Sequence, residues 1–178
     1  ARWTRNSDQF RLLVNRIYPK VLKLNKDYWP ARLEAGRLFL EKYNQRDATA
    51  ELNAALAINP NSAEVHAARA ELALQSYDLS RAKTSIERAL EINPKLLVAH
   101  QLKADMLMAD FRVKEAVAHL EDARNLHQHS DGTLGRLAAG YLFIDGDELD
   151  DGQADRASES RLGKLIADVH TRNHRCGG

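Results

Sequence analysis

The sequence has one cysteine, Cys176, four prolines, and a single glycine, Gly36, before position 132. One thiol cannot close an intramolecular disulfide, and it cannot build a cysteine-rich zinc site. The other eight glycines all fall in the last 47 residues, so regular architecture is expected to about residue 130 and to loosen beyond it. Branched aliphatics are also scarce, with 13 Val and Ile against 51 Ala and Leu. Branched side chains favour strands and straight ones favour helix, so this imbalance excludes an all-β or α/β chain and predicts an all-α one. No apolar run reaches the roughly 18 to 20 residues that cross a bilayer, and the opening ARWTRNSDQF lacks the apolar stretch of a signal peptide. A cytoplasmic setting is slightly favoured. The chain begins with Ala and ends in RCGG, which leads us to expect a piece of a longer protein.

What is present is enough for a core, with 44% apolar and 29% charged residues. The net charge of +1 hides an uneven layout. Residues 1 to 26 carry seven basic groups and one acid, while seven acids crowd residues 145 to 159 against a single Arg156. A basic arm can bind nucleic acid, but Arg11, Arg16, Lys20 and Lys23 interleave with Phe10, Val14, Ile17, Val21 and Leu24. That pattern is the solvated face of an amphipathic helix packed on a neighbour, so no nucleic-acid partner is expected.

The strongest signal is a period. Asn59-Pro60 and Asn93-Pro94 lie 34 residues apart and close the near-identical phrases ALAINPNSAEVHA and ALEINPKLLVAHQ; one step back stands VLKLNKDYWPARL. At that spacing small residues recur as Gly36, Ala70 and Ala104, as Ala48, Ala82 and Ala116, and as Ala55, Ala89 and Ala123. Larger apolar residues recur between them, such as Leu52, Ile86 and Leu120. Small residues let two helix backbones approach, and the larger ones fill the space beside the contact. Breaks near residues 44 to 47 and 76 to 79 divide each repeat into two helices, and Pro60 and Pro94 end the second of each pair.

This pattern resembles the tetratricopeptide repeat (TPR) family over residues 27–60, 61–94 and 95–128. A partial repeat precedes them in residues 1–26, with its second helix about 8–25. A degenerate fourth repeat follows in 129–178, its first helix at 131–143, Ala138 at the small place, Tyr141 at the aromatic place, and an acidic insertion at 144–156. The sequence departs from the family pattern where Arg32, His66 and His100 stand at the early aromatic place, and where Ala35, Arg69 and Lys103 stand at a leucine place. The resemblance implies a right-handed α-solenoid whose first helices line a concave groove. The groove places hold Leu33, Glu34, Arg37, Leu40, Ala67, Ala68, Glu71, Leu74, Gln101, Leu102, Asp105 and Met108. The family's carboxylate clamp of Lys, Asn and Arg would fall at Leu33, Arg37, Ala68, Val98 and Leu102, so it is absent. Glu34, Glu64, Glu71 and Asp105 among apolar residues suit a basic amphipathic partner segment, with Glu71 and Asp105 facing solvent.

Other chemistries fit less well. His66 and His100 lie one period apart, but no matching third ligand accompanies them, so they read as packed histidines. His170 and His174 share a helix face with Cys176 beyond, a pairing common by chance. A calcium loop with Gly152 at its sixth place would put Leu149 and Ser158 where oxygen and carboxylate ligands belong, and both fail. No phosphate loop, HExxH pair or nucleophile elbow occurs, and no metal or other cofactor is called for. The expected function is a non-enzymatic protein-interaction scaffold. The alternative is a spacer packed against a catalytic domain of the same longer chain.

Overall fold

The computed structural model describes residues 7–126 and 131–150. All elements among them are helical: α1 (Ser7–Leu12), a π-helical stretch Leu13–Ile17, α2 (Tyr18–Leu24), α3 (Trp29–Glu41), α4 (Gln45–Ile58), α5 (Ala63–Gln75), α6 (Leu79–Ile92), α7 (Leu97–Ala109), α8 (Val113–Leu126) and α9 (Asp131–Asp150). The starts of α3, α5 and α7 are spaced by 34 residues, as are those of α4, α6 and α8. The chain forms two compact units, Ala1–Leu102 and Lys103–Gly178.

The first unit begins with α1 and α2, which the π-helical stretch joins into one helical run where a single helix over 8–25 is expected. Pro19 accounts for the irregularity: it has no amide hydrogen, and its ring would collide with the carbonyl four residues back. The ladder widens there, and the Tyr18 amide donates to the Leu13 carbonyl five residues back. This run packs on α3 through Phe10 and Phe39, whose rings meet edge to face at 5.8 Å.

Each hairpin of the first unit is closed by small residues. Ala48 and Ala55 on α4, and Ala82 and Ala89 on α6, are completely buried, as are Leu52 and Ile86 beside them. Gly36 on α3 marks the tightest approach: a Cβ there would lie 2.8 Å from Leu52 Cδ2. Leu33, Leu40, Ala48, Leu52, Ala55, Val65 and Ala68 form one apolar cluster, with Trp29 and Phe39 packed against it. Between hairpins, the Asn25, Asn59 and Asn93 side-chain oxygens accept the amides of Asp27, Asn61 and Lys95, folding the chain back into the next first helix.

The turn within each hairpin is just as regular. Asn44 N donates to Phe39 O, Asp78 N to Ala73 O and Arg112 N to Leu107 O, at 2.8 to 2.9 Å. Tyr43 N donates to Leu40 O, Tyr77 N to Leu74 O and Phe111 N to Met108 O. These paired bonds are the Schellman ending of a helix, which puts one residue in the left-handed region. Here that residue is aromatic three times, with φ of 54° at Tyr43, 54° at Tyr77 and 58° at Phe111. A side chain in that conformation costs roughly 1–2 kcal/mol relative to glycine's tolerance of it. No packing offsets that cost, because the three residues are 79%, 85% and 84% exposed.

In the second unit, Ala104, Leu107, Val113, Ala116, Val117, Leu120, Leu137, Tyr141 and Ile144 make a second apolar cluster. Here α9 departs from expectation. It continues to Asp150, so residues 144–150 are helix where an acidic loop was expected, and buried Ile144 still faces the cluster. Residues 151–156 of that segment lie outside the described residues. The close-approach glycine is Gly140, two residues past the expected small place Ala138, and a Cβ there would sit 2.5 Å from Val117 Cγ2. Tyr141 is buried, and its hydroxyl donates to Glu121 Oε1.

Candidate functional site

The first helices α3 and α5 lie side by side in the first unit, and their groove places separate into two classes. Leu33, Leu40, Ala67 and Ala68 are buried, and so is Leu102 near the middle of α7. Leu33, Leu40 and Ala68 lie in the first apolar cluster, and the Leu40 carbonyl accepts from Gln75 Nε2 at 3.3 Å. The polar and longer side chains form the other class. Glu34 is exposed and accepts from Arg37 Nη1 at 2.9 Å, while Glu71, Leu74 and Gln101 are half-buried. At one end, Tyr18 of α2 lies near Glu34. Burial first, and then the Glu34 carboxylate, push the Tyr18 hydroxyl above its ordinary value.

Asp105 and Met108 belong to the second unit. Asp105 was expected to face solvent, ready for a cationic partner. Instead Arg136 of α9 grips it with both ends of the guanidinium, Nε to Oδ1 at 2.6 Å and Nη2 to Oδ2 at 2.7 Å. A bidentate pair of this kind places a charge-assisted hydrogen bond on each carboxylate oxygen and neutralises the charge. Met108 is half-buried against the second cluster, with its Cε 3.1 Å from where a Gly140 Cβ would stand.

The repeat's missing aromatic has a polar replacement. His66 Nε2 lies 3.0 Å from the Pro60 carbonyl, and His100 Nε2 lies 2.8 Å from the Pro94 carbonyl. A carbonyl only accepts, so Nε2 carries the proton in both rings, and each histidine ties its helix to the preceding turn. Arg32, the equivalent residue of the first repeat, instead pairs with Glu51 on α4 at 3.1 Å. These three side chains therefore have structural partners. Among the described residues no group of three His, Cys, Asp or Glu side chains could hold a metal ion, and no described helix is long and apolar enough to cross a membrane. His170, His174 and Cys176 lie outside the described residues, as do Gly152 and Ser158.

Sequence reasoning also missed two features. One is the run of aromatic turn residues at 43, 77 and 111, visible in the sequence as a 34-residue spacing. The other is a cleft of about 260 Å³ between α4, α5 and α6, lined by Asn53, Arg69, Leu72, Asp78, Arg81 and Ser85 among others. No sequence signal marked it, since its lining comes from three helices.

No protein-family model matches the sequence, and no curated protein matches it. Solved structures do match. The chain is similar to MamA at 16% identity over 89% of this chain and 88% of that one, with a TM-score of 0.67. It is similar to TTC0263, a thermophilic TPR protein of Thermus thermophilus, at 17% identity over 84% and 87%, with a TM-score of 0.66. It is also similar to YrrB, described as a TPR protein with an unusual peptide-binding site, at 16% identity over 93% and 84%, with a TM-score of 0.59. At such identities the likeness speaks for the fold, and it agrees with the 34-residue spacing of the helices and their buried alanine seams. The chain is an all-α protein with the tetratricopeptide repeat fold.

Proposed function

We propose that this protein is an interaction scaffold that binds an extended or helical segment of a partner protein along the first-helix face of α3 and α5. The observation that carries this reading is the layering of that face: a closed apolar floor of Leu33, Leu40 and Ala67, with Glu34, Arg37, Glu71, Leu74 and Gln101 reaching solvent above it. A rigid floor with a polar rim suits equilibrium binding, in which apolar anchors supply affinity and charge sets orientation. Two acids against one arginine on this rim favour a partner segment carrying Lys or Arg beside apolar anchors. YrrB shares the fold and is described as having a peptide-binding site, which supports the same class of function. No catalytic step and no cofactor enter the reading.

The test is fluorescence anisotropy with a labelled peptide of alternating Leu and Arg. Glu34→Lys with Glu71→Lys should weaken binding at least tenfold and flatten its salt dependence without changing the melting temperature by more than a few degrees. Unchanged affinity in the double variant would defeat this placement.

A further inference from the structure

We infer that the hairpin-turn edge of the first unit is a second docking surface, taking an acidic peptide segment whose carboxylate enters the cleft between α4, α5 and α6 and whose flanking apolar side chains lie on Tyr43 and Tyr77. The cleft holds one acid and two cations, and the acid is already engaged. Asp78 Oδ1 accepts the Arg81 amide at 3.0 Å, and Asp78 Oδ2 lies 3.2 Å from Arg81 Nε. Among the described residues Arg69 has no ion pair, and the Asn53 and Ser85 side chains make no hydrogen bond. An unmatched guanidinium beside an amide and a hydroxyl in a concave site is a receptor for a carboxylate.

The two tyrosines extend this site into a surface. Ser76 and Asp78 line the cleft with Tyr77 between them, and Gln45 lines it two residues after Tyr43. The turns touch directly, Gln45 Nε2 donating to the Gln75 carbonyl at 3.5 Å. Both rings stand in solvent on left-handed backbone, an arrangement glycine would adopt with less strain, so stability does not account for them. Neighbouring helices pack about 8–10 Å apart, and a chain in the polyproline II conformation advances about 3.1 Å per residue with every third side chain on the same face. The fitting ligand thus has apolar or aromatic side chains three residues apart with Asp or Glu between them. Phe111 repeats the feature in the second unit, which shows that the ring rather than a hydroxyl is what recurs.

The experiment titrates the full chain with a panel of fluorescent peptides of the form aromatic-acid-acid-aromatic, with basic counterparts. Acidic members should bind, basic ones should not, and Arg69→Glu should weaken binding at least tenfold. Tyr43→Gly with Tyr77→Gly should weaken it about as much while raising the melting temperature, an opposition that a packing role for the rings would not give. Three results would overturn the proposal: no acidic member binding at millimolar concentration, a fall in melting temperature in the glycine variant, or inorganic phosphate displacing the peptide with the tyrosines irrelevant to affinity. Because the Glu34 and Glu71 variants act on the first-helix face, their outcome and this one separate.

Discussion

Each repeat treats its seam and its turn in opposite ways. At the seam the side chains are reduced to a methyl or to nothing, and Ala48, Ala82 and Ala116 have no exposure at all. At the turn, a few residues before each of those alanines, a full aromatic ring stands in water on backbone that suits glycine. The seam residue is the one packing demands. The turn residue is not, and so the turn is where a role other than folding shows itself.

The largest effect expected from breaking this contrast is at the seam. Ala82→Leu should destabilise by about 1–3 kcal/mol, because the added atoms have no void to enter and α5 and α6 must part; urea unfolding measures it. Within the turns, the residue after the aromatic sharpens the comparison. Asn44 Oδ1 and Asp78 Oδ1 accept the amides of Asp47 and Arg81 and so cap the second helix. The Arg112 side chain has no acceptor atom, and instead clasps Glu115 with Nε at 2.7 Å and Nη2 at 2.6 Å. Asp78→Ala should cost roughly 1 kcal/mol, the usual value of a helix N-cap. Arg112→Ala should cost visibly less in the same measurement, since it removes a solvent-screened pair.

At the aromatic itself the sign reverses. Tyr77→Gly should gain on the order of 0.5–1 kcal/mol by relieving the left-handed conformation, less the entropy glycine adds to the unfolded chain. A loss would show that the ring packs in solution. The smallest effect is a titration. The hydrogen bond from Arg112 first, and then its charge, hold the Glu115 carboxyl below its ordinary value. A depressed folded value means that the stability from this pair is present above the unfolded pKa and is lost as pH falls through the folded one. NMR titration should show Glu115 returning to the usual carboxylate range in Arg112→Ala.

The repeat was legible because its cause is local and recurrent: an alanine every 34 residues is what a close helix pair requires. The binding face was legible only as a set of places. Register alone does not say how closely α3 and α5 approach, and that distance decides that Leu33, Leu40 and Ala67 become floor. The capture of Asp105 by Arg136 was hidden because Arg136 lies 31 residues on, in the helix where the period has faded. The continuation of α9 through Asp150 was hidden for a related reason: the acid-rich composition argued for a loop, while Ile144, at the margin of that segment, still had a core to reach. The six-residue distance of His66 and His100 from Pro60 and Pro94, which names the carbonyl that each ring meets, went unread.

Asn44, Asp78 and Arg112 each complete the hydrogen bonding of one helix and begin that of the next. A turn built this way has no slack. Inserting or deleting one residue there would advance or set back the following helix by about 100° around its own axis, carrying its alanine seam away from the partner and toward water. The hairpin can therefore accept a different side chain at its left-handed turn residue but cannot change the length of the turn.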